Sequence, residues 1–357
     1  YLRAGQAPAI RIHERLEALT YDPLDLSIFT GVTAASGPGG DGWRQGDAGD
    51  WIRNYDDVGQ VSCFIFQDNA GPGLVIHLSP QHSAAALQKH VPRQVRRVCE
   101  GDDGLVVVSA SAEADVLSML AVVAELSARK RSGYMIALEP ANGLGYELAG
   151  SFVSERKISG AGEEFAAAIR RATQERPDVL VITPRESSIA AEEAIRAAAP
   201  GRLVILGILA STAPRAVESL LSFVSTDREP QLRRLLAGSY RVGFSYRALR
   251  RQGGGRTIVE DVLVGTSDVR TRLERADFAG LEKLQRSGAD GMRTMDEALA
   301  RAASRGDISV RQAASHASDR SELIALIRKL ARQRRTALRQ HAAADRQPGP
   351  LRAITMA

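Results

Sequence analysis

Cysteine is almost absent from this chain: Cys63 and Cys99 are the only two in 357 residues. Two isolated thiols exclude a disulfide scaffold and suit a reducing compartment. No apolar run approaches the ~20 residues that a bilayer-spanning helix needs, so no such helix is expected. The six histidines (His13, His77, His82, His90, His316, His341) have no metal-ligand spacing with cysteines or carboxylates, so no metal site is expected. There is no G-x-S-x-G elbow and no Cys/His nucleophile arrangement. Nothing at the start reads as a secretory signal, and because the chain opens on Tyr1 rather than Met, preceding residues are expected.

What is present is an ordinary globular balance, 44% hydrophobic and 25% charged, over a length that favours two domains. The net charge of +5 is unevenly placed. Arg328, Lys329, Arg332, Arg334, Arg335, Arg339 and Arg346 crowd the end, with Asp345 the only acid after Lys329. Such a run is most simply a solvated helix end. A sharper reading is contact with anionic lipid or an acidic partner. Nucleic acid is disfavoured, because no aromatic stacking residues accompany the run.

Ala9–Ile12, Val61–Phe66 and Leu74–Leu78 read as strands, with a turn at Ala70–Gly73. Gly31–Gly49, rich in Gly, Ala, Ser and Asp, reads as a loop or trimmed insertion. From Gly104 the pattern changes. Leu105–Val108, Tyr134–Leu138, Val179–Ile182 and Leu203–Ile208 are short continuous apolar runs, as parallel strands covered on both faces require. Phe165, Ile169 and Ala172 fall at helical spacing, as do Ala191, Ile195 and Ala198. Alternation of this kind predicts a parallel α/β sheet. Ile258–Val264 adds an alternating strand, the rest to about Leu330 reads as helical, and Ser321 opens a last helix. The glycine runs Gly37–Gly42 and Gly253–Gly255 read as flexible turns rather than phosphate loops.

Gly104–Leu120 (GLVVVSASAEADVLSML) runs from a buried strand through a short turn into an apolar-periodic helix from Val116. That is the layout of a phosphate-binding loop, without its G-x-x-x-x-G-K-[ST] residues. Four further stretches carry a family resemblance: Val58–Pro80, Ser151–Ile182, Gly201–Ala213 and Gly288–Ser309. Together they resemble the PilT-like type IV pilus retraction ATPases, within the larger family of pilus and secretion motor ATPases. The resemblance implies an α/β fold: a small PAS-like α+β N-terminal domain, then a RecA-like P-loop NTPase-type domain with a mainly parallel sheet. The expected division is 1–78 for a shortened PAS-like domain, 79–92 for a linker, 93–330 for the ATPase-type domain with its helical C-terminal part, and 331–357 for a basic, flexible tail.

Laid on the family pattern, the site positions carry other residues. Ser109 stands at the leading Thr of the loop, while Ala110, Glu113 and Asp115 stand at glycines. Side chains there restrict positive-φ conformations, and two of them add carboxylates. Val116 stands at the Lys and Leu117 at the Mg²⁺-binding hydroxyl. In the Walker B segment Pro184 stands at the catalytic Glu, with Glu186 two positions on as a displaced acid. Leu209 stands at the His-box histidine, and Glu139 is what remains of the acid box. The N-terminal arginine positions, which in the family complete a neighbour's site, hold Gln60, Ser62, Gln67, Asn69 and His77. Better kept are Gly291–Asp296 (GMRTMD), Arg156 and Arg270, with Arg272 in place of an apolar residue.

The expectation is therefore a degenerate PilT-like protein of a type IV pilus or type II secretion-like machine. It is read as unable to hydrolyse ATP and as acting as a structural or regulatory subunit, with no catalytic residue and no cofactor. One alternative is a divergent but active hexameric motor driving pilus retraction, which would need ATP, Mg²⁺ and an acid such as Glu186 or Glu139. A second is a free-standing adaptor using its basic tail. The partners implied are itself or an active paralogue in a ring and the inner-membrane pilus platform protein, with peripheral membrane contact through the tail. The expected location is the cytoplasm, with a peripheral place at the inner membrane as a further option.

Overall fold

The computed structural model describes residues 1–12, 15–37, 49–55, 59–78, 87–101, 103–131, 133–139, 151–158, 162–183, 187–198 and 201–344. It divides into two compact units, residues 1–89 and 90–357.

The first unit comprises β1 (Leu2–Arg3), β2 (Ala9–Ile12), β3 (Arg15–Ala18), α1 (Leu26–Ser36), β4 (Gly49–Tyr55), β5 (Gly59–Asp68) and β6 (Gly71–Leu78). An antiparallel sheet has the order β1-β6-β5-β4, and β2 and β3 form a separate pair. Alternate residues of β5, Val61, Cys63 and Ile65, face a small core with Leu74 and Phe29. The stretch read as a loop from Gly31 is helical as far as Ser36, and a strand begins at Gly49; residues 38–48 lie outside the described residues. The helix forms because Asp25 caps it, accepting from the Ile28 amide at 2.8 Å. Its buried stripe is Phe29, Thr33 and Ser36, with the Ser36 hydroxyl donating to the Val32 carbonyl at 2.8 Å. The hairpin turn is tighter than the sequence reading. It occupies Asn69 and Ala70, where the Ala70 amide donates to Asp68 Oδ1 at 2.9 Å, and Gly71 already belongs to β6.

The second unit begins with α2 (Arg93–Gly101), β7 (Gly104–Ala110), α3 (Glu113–Arg131), β8 (Tyr134–Glu139) and β9 (Phe152–Lys157). It continues through α4 (Glu163–Gln174), β10 (Val179–Ile182), α5 (Ser188–Ala197), β11 (Leu203–Leu209), α6 (Ala213–Ser222) and α7 (Glu229–Ser239). After β12 (Tyr240–Arg250) and β13 (Arg256–Val264) it is helical, with α8 (Ser267–Glu274), α9 (Phe278–Ser287), α10 (Met295–Arg305), α11 (Val310–His316) and α12 (Arg320–Ala344). The sheet order is β13-β12-β7-β11-β10-β8-β9, parallel throughout except for the antiparallel edge strand β13. The fold is α/β with a mostly parallel sheet, as the apolar runs require.

Each residue of β7 is buried, and each such Val or Leu contributes roughly 1.5–3 kcal/mol over exposure. Gly104 opens this strand at φ +113°, and an added Cβ would lie 2.4 Å from the Ser239 carbonyl oxygen. Strands β9 and β12 were not legible as strands. β9 (FVSERK) alternates weakly, and β12 is interrupted by Arg241, Gly243 and Arg247, although Tyr240, Val242, Phe244 and Tyr246 are buried at a period of two. The last helix runs to Ala344, through the first part of the segment read as a tail; residues 345–357 lie outside the described residues. Among the described residues no helix is long and apolar enough to cross a membrane, and no His, Cys, Asp and Glu cluster could hold a metal ion.

Candidate functional site

Open α/β sheets bind ligands beyond the carboxyl ends of their parallel strands. The structure gathers several sequence-read positions there. Ala110 and Leu209 are register partners at the ends of β7 and β11, and the Ala210 amide donates to the Ala110 carbonyl at 3.0 Å. Ile182, last in β10, sits between Leu206 of β11 and Leu138 of β8, and Glu139 closes β8. Pro184 and Glu186 lie outside the described residues. The five N-terminal arginine positions are not gathered at one point. Ser62 and His77 are register partners, whereas Gln67 and Asn69 lie at the hairpin turn, about 24 Å along β5 from Gln60.

The connection from β7 to α3 decides what this crevice can do. The strand runs through Ala110 and the helix begins at Glu113, leaving Ser111 and Ala112 as the whole turn. The helix thus begins three residues before Val116, where the sequence reading began it. Val116 is completely buried, and its amide donates to the Ala112 carbonyl at 3.1 Å within the first helical turn. Leu117 and Asp115 are half-buried and Glu113 is exposed. Ser109 is buried, its hydroxyl donating to the Phe244 carbonyl at 3.3 Å.

Three residues the sequence reading missed hold this region. The Tyr246 hydroxyl donates to the backbone oxygen of Asp115, and burial pushes its pKa far up. Arg247 donates from Nη2 to Ser111 Oγ at 3.3 Å and from Nη1 to the His316 carbonyl at 3.0 Å; burial lowers its pKa. Asp261, wholly buried on β13, accepts from the Ala213 amide at 2.9 Å, the Ser245 amide at 2.7 Å and Gln285 Nε2 at 3.2 Å. These donors favour its ionised form, but burial outweighs them and pushes its pKa up to about 7. The available signal was a charged pair, Glu260–Asp261, inside an otherwise apolar strand.

A cleft of about 860 Å³ opens beside Leu209, between the length of α6, α9, the start of α10 and the residues leading into α12. Its charges are largely committed to one another. Arg215 pairs with Glu218 at 3.4 Å and Arg286 with Glu322 at 3.4 Å. The GMRTMD stretch forms one wall and is structural in its contacts. Thr294 caps α10, Arg293 pairs with Glu260, and Met292 and Met295 are buried. Asp296 accepts from the Ser318 amide at 2.8 Å and the Asp319 amide at 2.9 Å, fixing the start of α12. Arg156 is likewise engaged, in a two-pronged pair with Glu175 at 2.6 Å that holds the Glu175 carboxyl down to about 2. Arg272 pairs with Asp277 at 2.5 Å.

No protein-family model matches the chain. It is 22% identical over 245 residues to the type IV pilus retraction ATPase PilT of Pseudomonas aeruginosa, covering 68% of this chain and 71% of that protein. It is 21% identical over 342 residues to the type IV pilus ATPase PilU of the same organism, covering 92% and 87%. A crystal structure of the pilus retraction motor PilT with bound ADP superposes with a TM-score of 0.71 at 21% identity, over 90% of this chain and 93% of that one. The chain is a distant relative of the PilT-like pilus ATPases and has their fold. The Legionella pneumophila ATPase DotB is a further structural neighbour of this PilT-like chain, with a TM-score of 0.67 at 15% identity over 87% and 89%.

Proposed function

We propose that this PilT-like chain is a subunit of a pilus or secretion machine that does not turn over ATP, and that it acts as a structural or regulatory member of a ring. The observation that carries this reading is the two-residue turn Ser111–Ala112 followed by a buried Val116. A phosphate loop must present several convergent amides and a mobile cation. Here the amide of Val116 is spent inside the helix, and the side chain at the cation position is an apolar core residue. The helix start still carries partial positive charge, but Glu113 and Asp115 lie in its first turn and answer it. These residues do not fit a magnesium nucleotide. With Leu209 beside Ala110, the described part of the crevice offers neither the histidine nor the hydroxyl of the family pattern.

A ring remains compatible with these losses, because packing between copies depends on shape and polarity rather than on nucleotide. The partners proposed are further copies or an active paralogue, and the machine's inner-membrane platform protein.

The alternative, a divergent active motor, has one observation in its favour: the Arg247 guanidinium lies at the Ser111 turn and could serve as a replacement cation. Calorimetric titration with Mg-ATP, with turnover assayed in parallel, separates the two. The proposed reading expects no binding up to millimolar nucleotide. Saturable binding with hydrolysis, abolished in Arg247→Ala, would establish the alternative.

A further inference from the structure

The end of the β12–β13 hairpin carries an electrostatic conflict. Arg250 and Arg256 are direct cross-strand partners, and Arg251 follows at once, with no acid among Arg250–Arg256. Like charges placed opposite one another on a sheet destabilise it. The turn itself, Gln252–Gly255, is exposed, as are all three arginines.

A second element adds to this field. Arg301 and Arg305, near the carboxyl end of α10, line a cleft of about 540 Å³ together with Arg251, Ser304, Asp307 and Leu330 of α12. Two acids pair with this group. Asp307 accepts from Arg305 Nε at 2.7 Å and lies 3.2 Å from Arg251 Nη2, so one carboxylate is shared between two guanidiniums. Glu297 takes Arg301 at 2.5 Å. Arg305 also complements the carbonyl end of α10. That role needs one cation from α10 and none from the hairpin. With Glu297 and Asp307 set against Arg301, Arg305 and Arg251, and Glu260 also acting on Arg301 and Arg305, the positive charge left over lies on the hairpin at Arg250, Arg251 and Arg256, an exposed surface complementary to a negative one.

We propose that the β12–β13 hairpin end and the carboxyl end of α10 form a docking surface for an anionic phospholipid bilayer, with the arginine-lined cleft taking a headgroup phosphate. Guanidinium forks match phosphate oxygens in two-pronged pairs, and the shared Asp307 holds Arg251 and Arg305 in place for such contacts. This site is distinct from the basic run of α12 beyond Leu330 and needs no nucleotide, so its test stands apart from the ATP titration.

The test is co-sedimentation of the full chain with phosphatidylglycerol vesicles and with phosphatidylcholine vesicles, at low and high salt. Binding is expected to the anionic vesicles alone and to fall as salt rises. Reversing two charges, in R250E/R256E, should lower vesicle partitioning by about tenfold or more. R251E/R305E should do the same, while R251K/R305K, which keeps the charge and loses the guanidinium fork, should keep salt-dependent binding at reduced strength. The R250E/R256E variant lies outside the Asp307 pairs, so it keeps the test decisive if R251E/R305E fails to fold. Equal sedimentation with both vesicle types, or unchanged binding by R250E/R256E, overturns the proposal. Tight binding of inorganic pyrophosphate without vesicle binding would assign the cleft to a soluble phosphate and also overturn it.

Discussion

The hydroxyl of Tyr246, on β12, donates to the backbone oxygen of Asp115 in the first turn of α3. A side chain from the neighbouring strand thereby fixes the helix start where a phosphate loop would have to unwind. Val116, one residue on, is packed in the core.

On the proposed reading, a lysine at residue 116 restores nothing. Val116→Lys places an ammonium in an apolar site with no carboxylate partner, and should destabilise the second unit by about 3 kcal/mol or more. It should gain no ATP affinity. Chemical denaturation alongside ATP titration checks both points, and ATP binding by the variant would contradict the account of the turn.

Asp261 makes stability depend on pH in a definite direction. Its folded pKa, about 7, lies above its ordinary value of 3.8, so the folded state binds the proton more tightly. Its stabilising contribution is complete below about 4 and is lost as pH rises through 7. Between pH 4 and 7 the unfolding free energy of the wild-type chain should fall relative to that of Asp261→Asn as pH rises. The variant should lose this slope and also about 1–3 kcal/mol at pH 5, because its amide group turns a donor toward a backbone amide. Identical pH slopes would refute the assignment.

Asp296 is expected to act as a remote cap for α12. Asp296→Ala leaves the Ser318 and Asp319 amides without their acceptor and should cost about 1–2 kcal/mol. Proteolysis should first appear near residues 317–320, with the sheet intact. Cleavage elsewhere first would reassign the residue.

Gly104→Ala should be severe for so small a change. The strained φ alone costs about 1–3 kcal/mol, and the methyl group would meet the Ser239 carbonyl. A midpoint of urea unfolding within error of the wild type would rule out the close approach.

The parallel core was legible because its strands are continuous apolar runs, and a run such as LVVV at residues 105–108 has few other places to go. The helix Leu26–Ser36 was hidden, since its buried face uses Thr33 and Ser36 rather than aliphatic residues. β12 was hidden by its arginines. One of them, Arg247, holds the crevice together with Asp261, and their contacts come from residues more than 15 positions away. The placement of Ala110 and Leu209 at strand ends followed from the apolar runs that they close. That α3 begins at Glu113, with its first turn held by Tyr246 from across the sheet, could not be read in this way.

Arg247 joins two places far apart in the chain, Ser111 at the crevice turn and the His316 carbonyl at the end of α11. A strut of this kind transmits displacement in both directions. A partner seated against the helical end of the molecule would tug on residue 111, and a fluorophore placed there would report its arrival.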